Sequence, residues 1–269
     1  MKFLGGRRPR AAGIIGAAAI GAALLTTPGV AHAAAPDYVA LGDSYASGVG
    51  TRTYTTESGS CQRSTLSYPY LDAARIGAAL TDVACSGARV ADVSANQLGP
   101  LTSGIEFVTV QVGGNDAGFS SVITECAKPW WLGNCDAAIN NAQAIINNIL
   151  PGRLNSLYTS VRSRATVAKV IVVGYPRLFN GTDCNAGTFF SAAEMTRLNQ
   201  TADLLNSRTN TSATSAGFTF VNPTSAFIGH AVCGSPEWIN GLSNPVSESY
   251  HPNTTGHNAY ANLVDDHLN

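Results

Sequence analysis

Charge is scarce in this sequence. Only 12% of its 269 residues are Asp, Glu, Lys or Arg, and the signs nearly cancel, 16 basic against 17 acidic. A basic stripe that follows a phosphate backbone is excluded, and with it nucleic acid as an electrostatic partner. No C-x-x-C pair occurs among the six cysteines, which removes the commonest zinc-site spacing. No G-x-S-x-G is present either, so the strand-to-helix elbow of the α/β-hydrolases is not available. Internal repeats, heptads and low-complexity linkers are missing, which argues against a solenoid, a coiled coil or a tethered pair of domains. Past residue 33 no apolar run is long enough to span a bilayer as a helix.

What the chain does have begins at its N-terminus. Residues 1–10 carry Lys2, Arg7, Arg8 and Arg10 without an acid, residues 11–25 are apolar and rich in small side chains, and Ala31-His32-Ala33 fits an A-x-A cleavage site. This layout predicts a signal peptide over residues 1–33 and a secreted, extracellular mature chain, residues 34–269, forming a single domain. Without the leader, 12 basic residues face 17 acidic ones, a formal charge of −5. Six cysteines in an exported chain imply three disulfides. Their order suggests the local closures Cys61–Cys85, Cys126–Cys135 and Cys184–Cys233, although six cysteines allow 15 pairings.

Continuous apolar, β-branched or aromatic runs at residues 38–41, 81–84, 107–112 and 169–173 predict strands, and 218–221 a fifth. Unbroken runs, rather than alternation, fit strands covered on both faces. Apolar spacing predicts helices over residues 68–80 and 137–150, the latter ended or kinked by Pro151. Another opens at the Ser191…Glu194 capping box, and a last covers about 255–267. Strands alternating with helices give an α/β fold, a three-layer α/β/α sandwich on a mainly parallel sheet. In such sheets ligands bind beyond the carboxyl ends of the strands.

Those ends hold the reactive residues. The first run stops at Gly42-Asp43-Ser44, the second at Cys85-Ser86-Gly87 and the third at Gly113-Gly114-Asn115-Asp116, while Tyr250-His251-Pro252-Asn253 precedes the last helix. A serine hydroxyl is a poor nucleophile unless a base takes its proton and donors await the oxyanion. Singly, each piece has an ordinary reading: Ser44 as a helix cap, Gly87 as a loop glycine, Asn115 as a turn residue, His251-Pro252 as a surface turn. His257 reads as a helix-face histidine, and His230 and His267 show no supporting partner. Asp43 and Asp116 flank the key positions, but no further carboxylate motif joins them, so neither a metal nor another cofactor is expected.

Together and in this order, the four blocks resemble the SGNH, or GDSL-type, hydrolases, from about Asp37 to the C-terminus. The resemblance is closest to the secreted actinobacterial branch of lipases and phospholipase A1, whose three disulfides are similarly local. It implies Ser44 as nucleophile, His251 as general base and then general acid, and an oxyanion hole of the Ser44 and Gly87 N–H groups with the Asn115 side chain. Tyr45 stands where the family has leucine, a position outside the chemistry. The family places Asp three residues before the histidine, and this chain has Glu248 there. The Ser249 main-chain carbonyl is therefore expected to orient His251, with the Glu248 carboxylate as the alternative.

Between Cys126 and Cys135 lies Lys128-Pro129-Trp130-Trp131-Leu132. It reads either as a loop packed on the core or as an acyl-chain wall and a patch that meets lipid interfaces. Phe179, Phe189 and Phe190 add further apolar surface. With the branch resemblance, these features point to a monomeric carboxylic ester hydrolase acting on lipids, in transient contact with their interfaces. The alternatives are a carbohydrate acetylesterase on the same fold and a non-catalytic secreted binding protein.

Overall fold

Five short strands make one parallel sheet: β1 (Asp37–Gly42), β2 (Ala79–Asp82), β3 (Phe107–Gln111), β4 (Lys169–Val173) and β5 (Thr219–Val221). The computed structural model describes residues 1–3, 5–6 and 34–268. The expected signal peptide therefore lies almost wholly outside the described residues, and the fold occupies the unit Ala35–Asn269. The strand order is β2-β1-β3-β4-β5, and each neighbouring pair is parallel. Val39 faces Val108 across the ladder, and Val108 faces Val170. Side chains of β1, β3 and β4 are almost entirely buried, which is why those runs are apolar on both faces.

The connections leave β1 toward β2 on one side and β3 toward β4 on the other. With right-handed crossovers this sends helices to opposite faces. On one face α2 (Tyr68–Ile76) packs against α8 (Thr254–Asp265). On the other, α3 (Val90–Asn96), α4 (Phe119–Cys126), α5 (Cys135–Asn148), α6 (Leu150–Arg164) and α7 (Ala192–Ser215) pack on one another. The result is a three-layer α/β/α sandwich. Leu150, Leu154, Leu157 and Tyr158 bury the inner face of α6 without measurable exposure. Each fully buried aliphatic side chain of this kind contributes about 1.5–3 kcal/mol.

Two boundaries differ from the sequence expectation. The helix expected over residues 68–80 stops at Ile76, because Gly77 takes the left-handed conformation (φ 67°) and its N–H closes on the Ala73 carbonyl. Ala79 and Leu80 are thereby released into β2, which runs over 79–82 rather than 81–84. Pro151 ends one helix by starting the next: it stands in the first turn of α6, where its missing N–H is not needed.

Disulfides join Cys61 to Cys85, Cys126 to Cys135 and Cys184 to Cys233, the pairs expected from the cysteine order. Among the described residues no helix is long and apolar enough to cross a membrane. Between β1 and β3 the winding reverses, and the crevice beyond their carboxyl ends is where such a fold binds ligands.

Candidate active site

β1 reaches that crevice with Gly42, whose φ is 149° and where a Cβ would come within 2.3 Å of the Gln111 carbonyl oxygen. Only glycine fits so close to β3. The Asp43 N–H then donates to the Gln111 carbonyl at 3.0 Å, and the Asp43 carboxylate caps the short helix α1 (Ser44–Ser47) by accepting from the Tyr45 N–H. Strand passes to helix within two residues, so Ser44 stands in the first turn with its own N–H bound to no other described group.

His251 arrives from the far end of the chain. Its loop is pinned by main-chain bonds from Asn240 N–H to the His251 carbonyl and from Tyr250 N–H to the Asn240 carbonyl, each 2.9 Å. Tyr250 sits at φ 61°, a left-handed conformation that costs a tyrosine on the order of 1–3 kcal/mol. The kink persists because Phe179 and Phe190 pack on the Tyr250 ring and Tyr45 Oη donates to its carbonyl at 2.7 Å.

The two ends meet. His251 Nε2 lies 2.8 Å from Ser44 Oγ, and His251 Nδ1 lies 2.9 Å from the Ser249 carbonyl oxygen. A carbonyl only accepts, so the proton sits on Nδ1 and the Nε2 lone pair faces the serine hydroxyl. Burial pushes the His251 pKa down to about 4, against a smaller upward pull from the Ser249 carbonyl. The ring is thus a neutral base at ordinary pH. Glu248, buried beside it, is directed elsewhere. Its Oε1 accepts from the Tyr54 hydroxyl at 2.7 Å, and its Oε2 lies 3.6 Å from Arg52 Nε.

The loops leaving β2 and β3 pass on either side of Ser44. Cys85 N–H donates to the Gly42 carbonyl, continuing the β1–β2 ladder past the strand. Two residues later Gly87 turns at φ 81°, and its N–H meets no other group among the described residues. Asn115 Nδ2 donates to the Ala88 carbonyl at 3.0 Å, which braces its amide against the Gly87 turn. Asp116 ties the same two loops, accepting from Val90 N–H at 2.9 Å and from Arg153 at 2.8 Å. Asp43 also has partners, Tyr45 N–H and the Tyr175 hydroxyl at 2.6 Å, and burial raises its pKa to about 7. Both flanking carboxylates hold structure. Among the described residues no three His, Cys, Asp or Glu side chains are grouped to hold a metal ion.

The other histidines stay outside. His257 is fully buried between α8 and α2, its Nδ1 accepting from Tyr68 N–H, and His230 stacks on Trp238 at 3.8 Å. Trp130, Trp131 and Leu132 are 84%, 62% and 67% exposed, so that loop is not packed on the core. Phe189 is exposed as well, whereas Phe179 and Phe190 are buried under Tyr250 and add no surface. From His251 a groove runs outward past Phe119, Pro129, Phe189, Leu242 and Val246. Sequence reasoning set Tyr45 aside, yet its ring packs 5.2 Å from the His251 ring. Its place directly after Ser44 was the available signal.

The model of the GDSL-like Lipase/Acylhydrolase family matches residues 40–259. Lipase 1 of Streptomyces coelicolor is 42% identical over 244 residues, covering 90% of this chain and 89% of that one. Two solved structures, the extracellular lipase of Streptomyces rimosus and phospholipase A1 of Streptomyces albidoflavus NA297, superpose with TM-scores of 0.81. Each is 41% identical and covers 87% of this chain and all of its own.

Proposed function

Because the chain belongs to the GDSL-like lipase/acylhydrolase family, we propose that it hydrolyses the carboxylic ester bonds of lipids, as a lipase or phospholipase A1 does, with Ser44 as nucleophile. The observation that carries this is the 2.8 Å contact between Ser44 Oγ and a buried, neutral His251.

In the first half-reaction His251 Nε2 takes the hydroxyl proton as Ser44 Oγ attacks the ester carbonyl. The tetrahedral oxyanion accepts from the Ser44 N–H, the Gly87 N–H and Asn115 Nδ2. Losing one such donor costs roughly a hundred- to a thousandfold in rate. His251 then returns the proton to the departing alcohol, leaving Ser44 acylated. In the second half-reaction the same nitrogen deprotonates water, which attacks the acyl carbon, and His251 then gives that proton to the departing Ser44 Oγ, freeing the fatty acid and restoring the serine hydroxyl. The Ser249 carbonyl holds the tautomer and steadies the imidazolium, the part that an acidic side chain plays in a triad.

The groove supports a lipid over a sugar ester. Phe119, Ile123, Phe189, Leu242 and Val246 line it with hydrocarbon for an acyl chain, and Ser120, Thr124, Lys128, Thr188 and Ser247 interleave polar groups that suit a lipid's head group. The exposed Trp130-Trp131-Leu132 tip suits transient contact with a lipid surface. We further propose that residues 1–33 direct export and that the mature chain acts outside the cell as a monomer. The composition of the leader and the three disulfides support the export.

The test is hydrolysis of p-nitrophenyl esters and of a defined phospholipid by the mature protein, with Ser44→Ala as control. Activity abolished by that substitution is expected. A folded protein that cleaves none of these esters overturns the reading.

A further inference from the structure

The Ser44 and Gly87 N–H groups, two of the three donors proposed for the oxyanion, stand beyond the ends of different strands, β1 and β2. They act together only if their spacing is held. Gly87 cannot hold itself. It is exposed, it turns at φ 81°, and a Cβ built on it would meet nothing within 4 Å. Glycine has the widest backbone freedom, and no packing restricts this one, so its neighbours must. On the far side of the turn, Asn115 Nδ2 holds the Ala88 carbonyl.

The near side is gripped by a segment outside the sheet. Cys61 is bridged to Cys85, the Cys61 carbonyl accepts from Ser86 N–H at 3.1 Å, and Arg63 Nη1 donates to the Ala84 carbonyl at 3.3 Å. The three residues before Gly87 are all tied to residues 61–63. One residue on, the same segment reaches the nucleophile. Ser64, without measurable exposure, donates its N–H to the carbonyl of Ser47, the last residue of α1, at 2.8 Å. Thr51 Oγ1 donates to the Ser64 hydroxyl, also at 2.8 Å. A Cβ at Gly48 would come within 2.7 Å of the Ser64 Cβ, so the close approach needs glycine.

We propose that residues 61–64 are a positioning brace of the oxyanion hole: the Cys61–Cys85 bridge, with Arg63, sets the Gly87 N–H against the Ser44 N–H, which Ser64 fixes through α1. The assignment rests on the reading of Ser44 as nucleophile and Gly87 as donor. The cysteines act through Gly87, not on the substrate. A covalent tie suits a turn that faces solvent, where water competes for every hydrogen bond. Both half-reactions pass through a tetrahedral oxyanion. Loosening the brace therefore lowers kcat whichever step is slower, and leaves ground-state binding nearly alone.

The experiment removes one bridge at a time. Hydrolysis of p-nitrophenyl butyrate is compared in the parent, in Cys61→Ser with Cys85→Ser, and in Cys184→Ser with Cys233→Ser, alongside thermal melts. The second bridge closes 49 positions of chain against 24, so by chain entropy its loss costs more stability. A merely structural role would follow that order. Expected instead is a kcat at least about tenfold lower in the Cys61/Cys85 variant, with KM within about twofold and near-parental kcat in the other variant. The inhibition constant of phenylboronic acid, whose tetrahedral adduct on Ser44 fills the same hole, should rise by the same factor. If the Cys61/Cys85 variant does not fold, as judged by circular dichroism, Arg63→Met keeps the bridge and cuts only the Ala84 tie. A fall of at least about threefold in kcat with KM unchanged is then expected. A folded brace variant that keeps its kcat, an equal kcat loss in both bridge variants, or a kcat loss without weaker phenylboronic acid inhibition overturns the brace. A parent protein that cleaves no ester at all defeats the catalytic reading instead, so the two failures are distinguishable.

Discussion

The Tyr45 hydroxyl donates a 2.7 Å hydrogen bond to the Tyr250 carbonyl, joining the residue after Ser44 to the residue before His251. The ring of Tyr45 also packs 5.1 Å from Tyr175, whose own hydroxyl holds the Asp43 cap of the short helix that opens with Ser44. One side chain therefore sets the spacing of two segments about 200 residues apart in sequence.

Tyr45→Phe keeps the ring and deletes the hydroxyl, leaving a buried carbonyl unpaired next to a residue in left-handed conformation. The stability loss should be about 1–3 kcal/mol. Small misplacement of a catalytic base lowers turnover steeply, so kcat should fall about ten- to a hundredfold with KM nearly unchanged. Steady-state kinetics beside a thermal melt checks both. An unchanged kcat would mean that packing alone aligns the histidine.

The acid limb of the pH profile should lie unusually low. Burial is the larger influence on His251 and disfavours the cation, so the neutral base persists down to about pH 4. Below that, Nε2 carries a proton and cannot take one from Ser44. The kcat/KM of a short soluble ester should therefore rise through a midpoint near pH 4 and be flat from about pH 5 to 7. A midpoint between 6 and 7 would show that the imidazole is solvated in the working enzyme.

Much of this was legible in the chain because the strand signals are local. β1, β3 and β4 are covered on both faces, so each had to be a continuous apolar run, and Ser44 and Asn115 follow the first two of these within a few residues. Helix α6 was not read, although Leu150, Leu154, Leu157 and Val161 already lie on one face, because Pro151 reads as a terminator until a neighbouring helix is seen to start there. Short helices such as α3 offer too few turns for a periodic signal. Glu248 shows a different limit: its sequence position suits either role, and only the fold reveals that Tyr54 and Arg52 claim its carboxylate.

That geometry makes a prediction for Glu248→Gln. The amide oxygen still accepts from Tyr54, and the Ser249 carbonyl still holds His251, so kcat/KM should remain within about tenfold of the parent. Losing the acidic member of a working triad costs on the order of ten-thousandfold. A loss of that size in a folded variant would make the carboxylate, rather than the carbonyl, the partner of His251.

Stability should carry its own pH signature, from Asp72 on α2. The residue has no measurable exposure, and neither carboxylate oxygen has a hydrogen-bond partner among the described residues. Burial dominates and raises its pKa to about 8; Arg75 pulls it down and Asp265 pushes it up, both less strongly. In the unfolded chain the same group titrates near 4. Between about pH 4 and 8 the folded state holds a proton that the unfolded state has lost, so stability falls as pH rises, by up to about 1.4 kcal/mol per unit. Asp72→Asn removes the titration and leaves a neutral side chain of similar shape. Its melting temperature relative to the parent should be lowest at pH 4 and climb steadily toward pH 8. Two melting curves that stay parallel across pH 4, 6 and 8 would mean that Asp72 is ionised in the folded protein, with a counter-charge or water satisfying both oxygens.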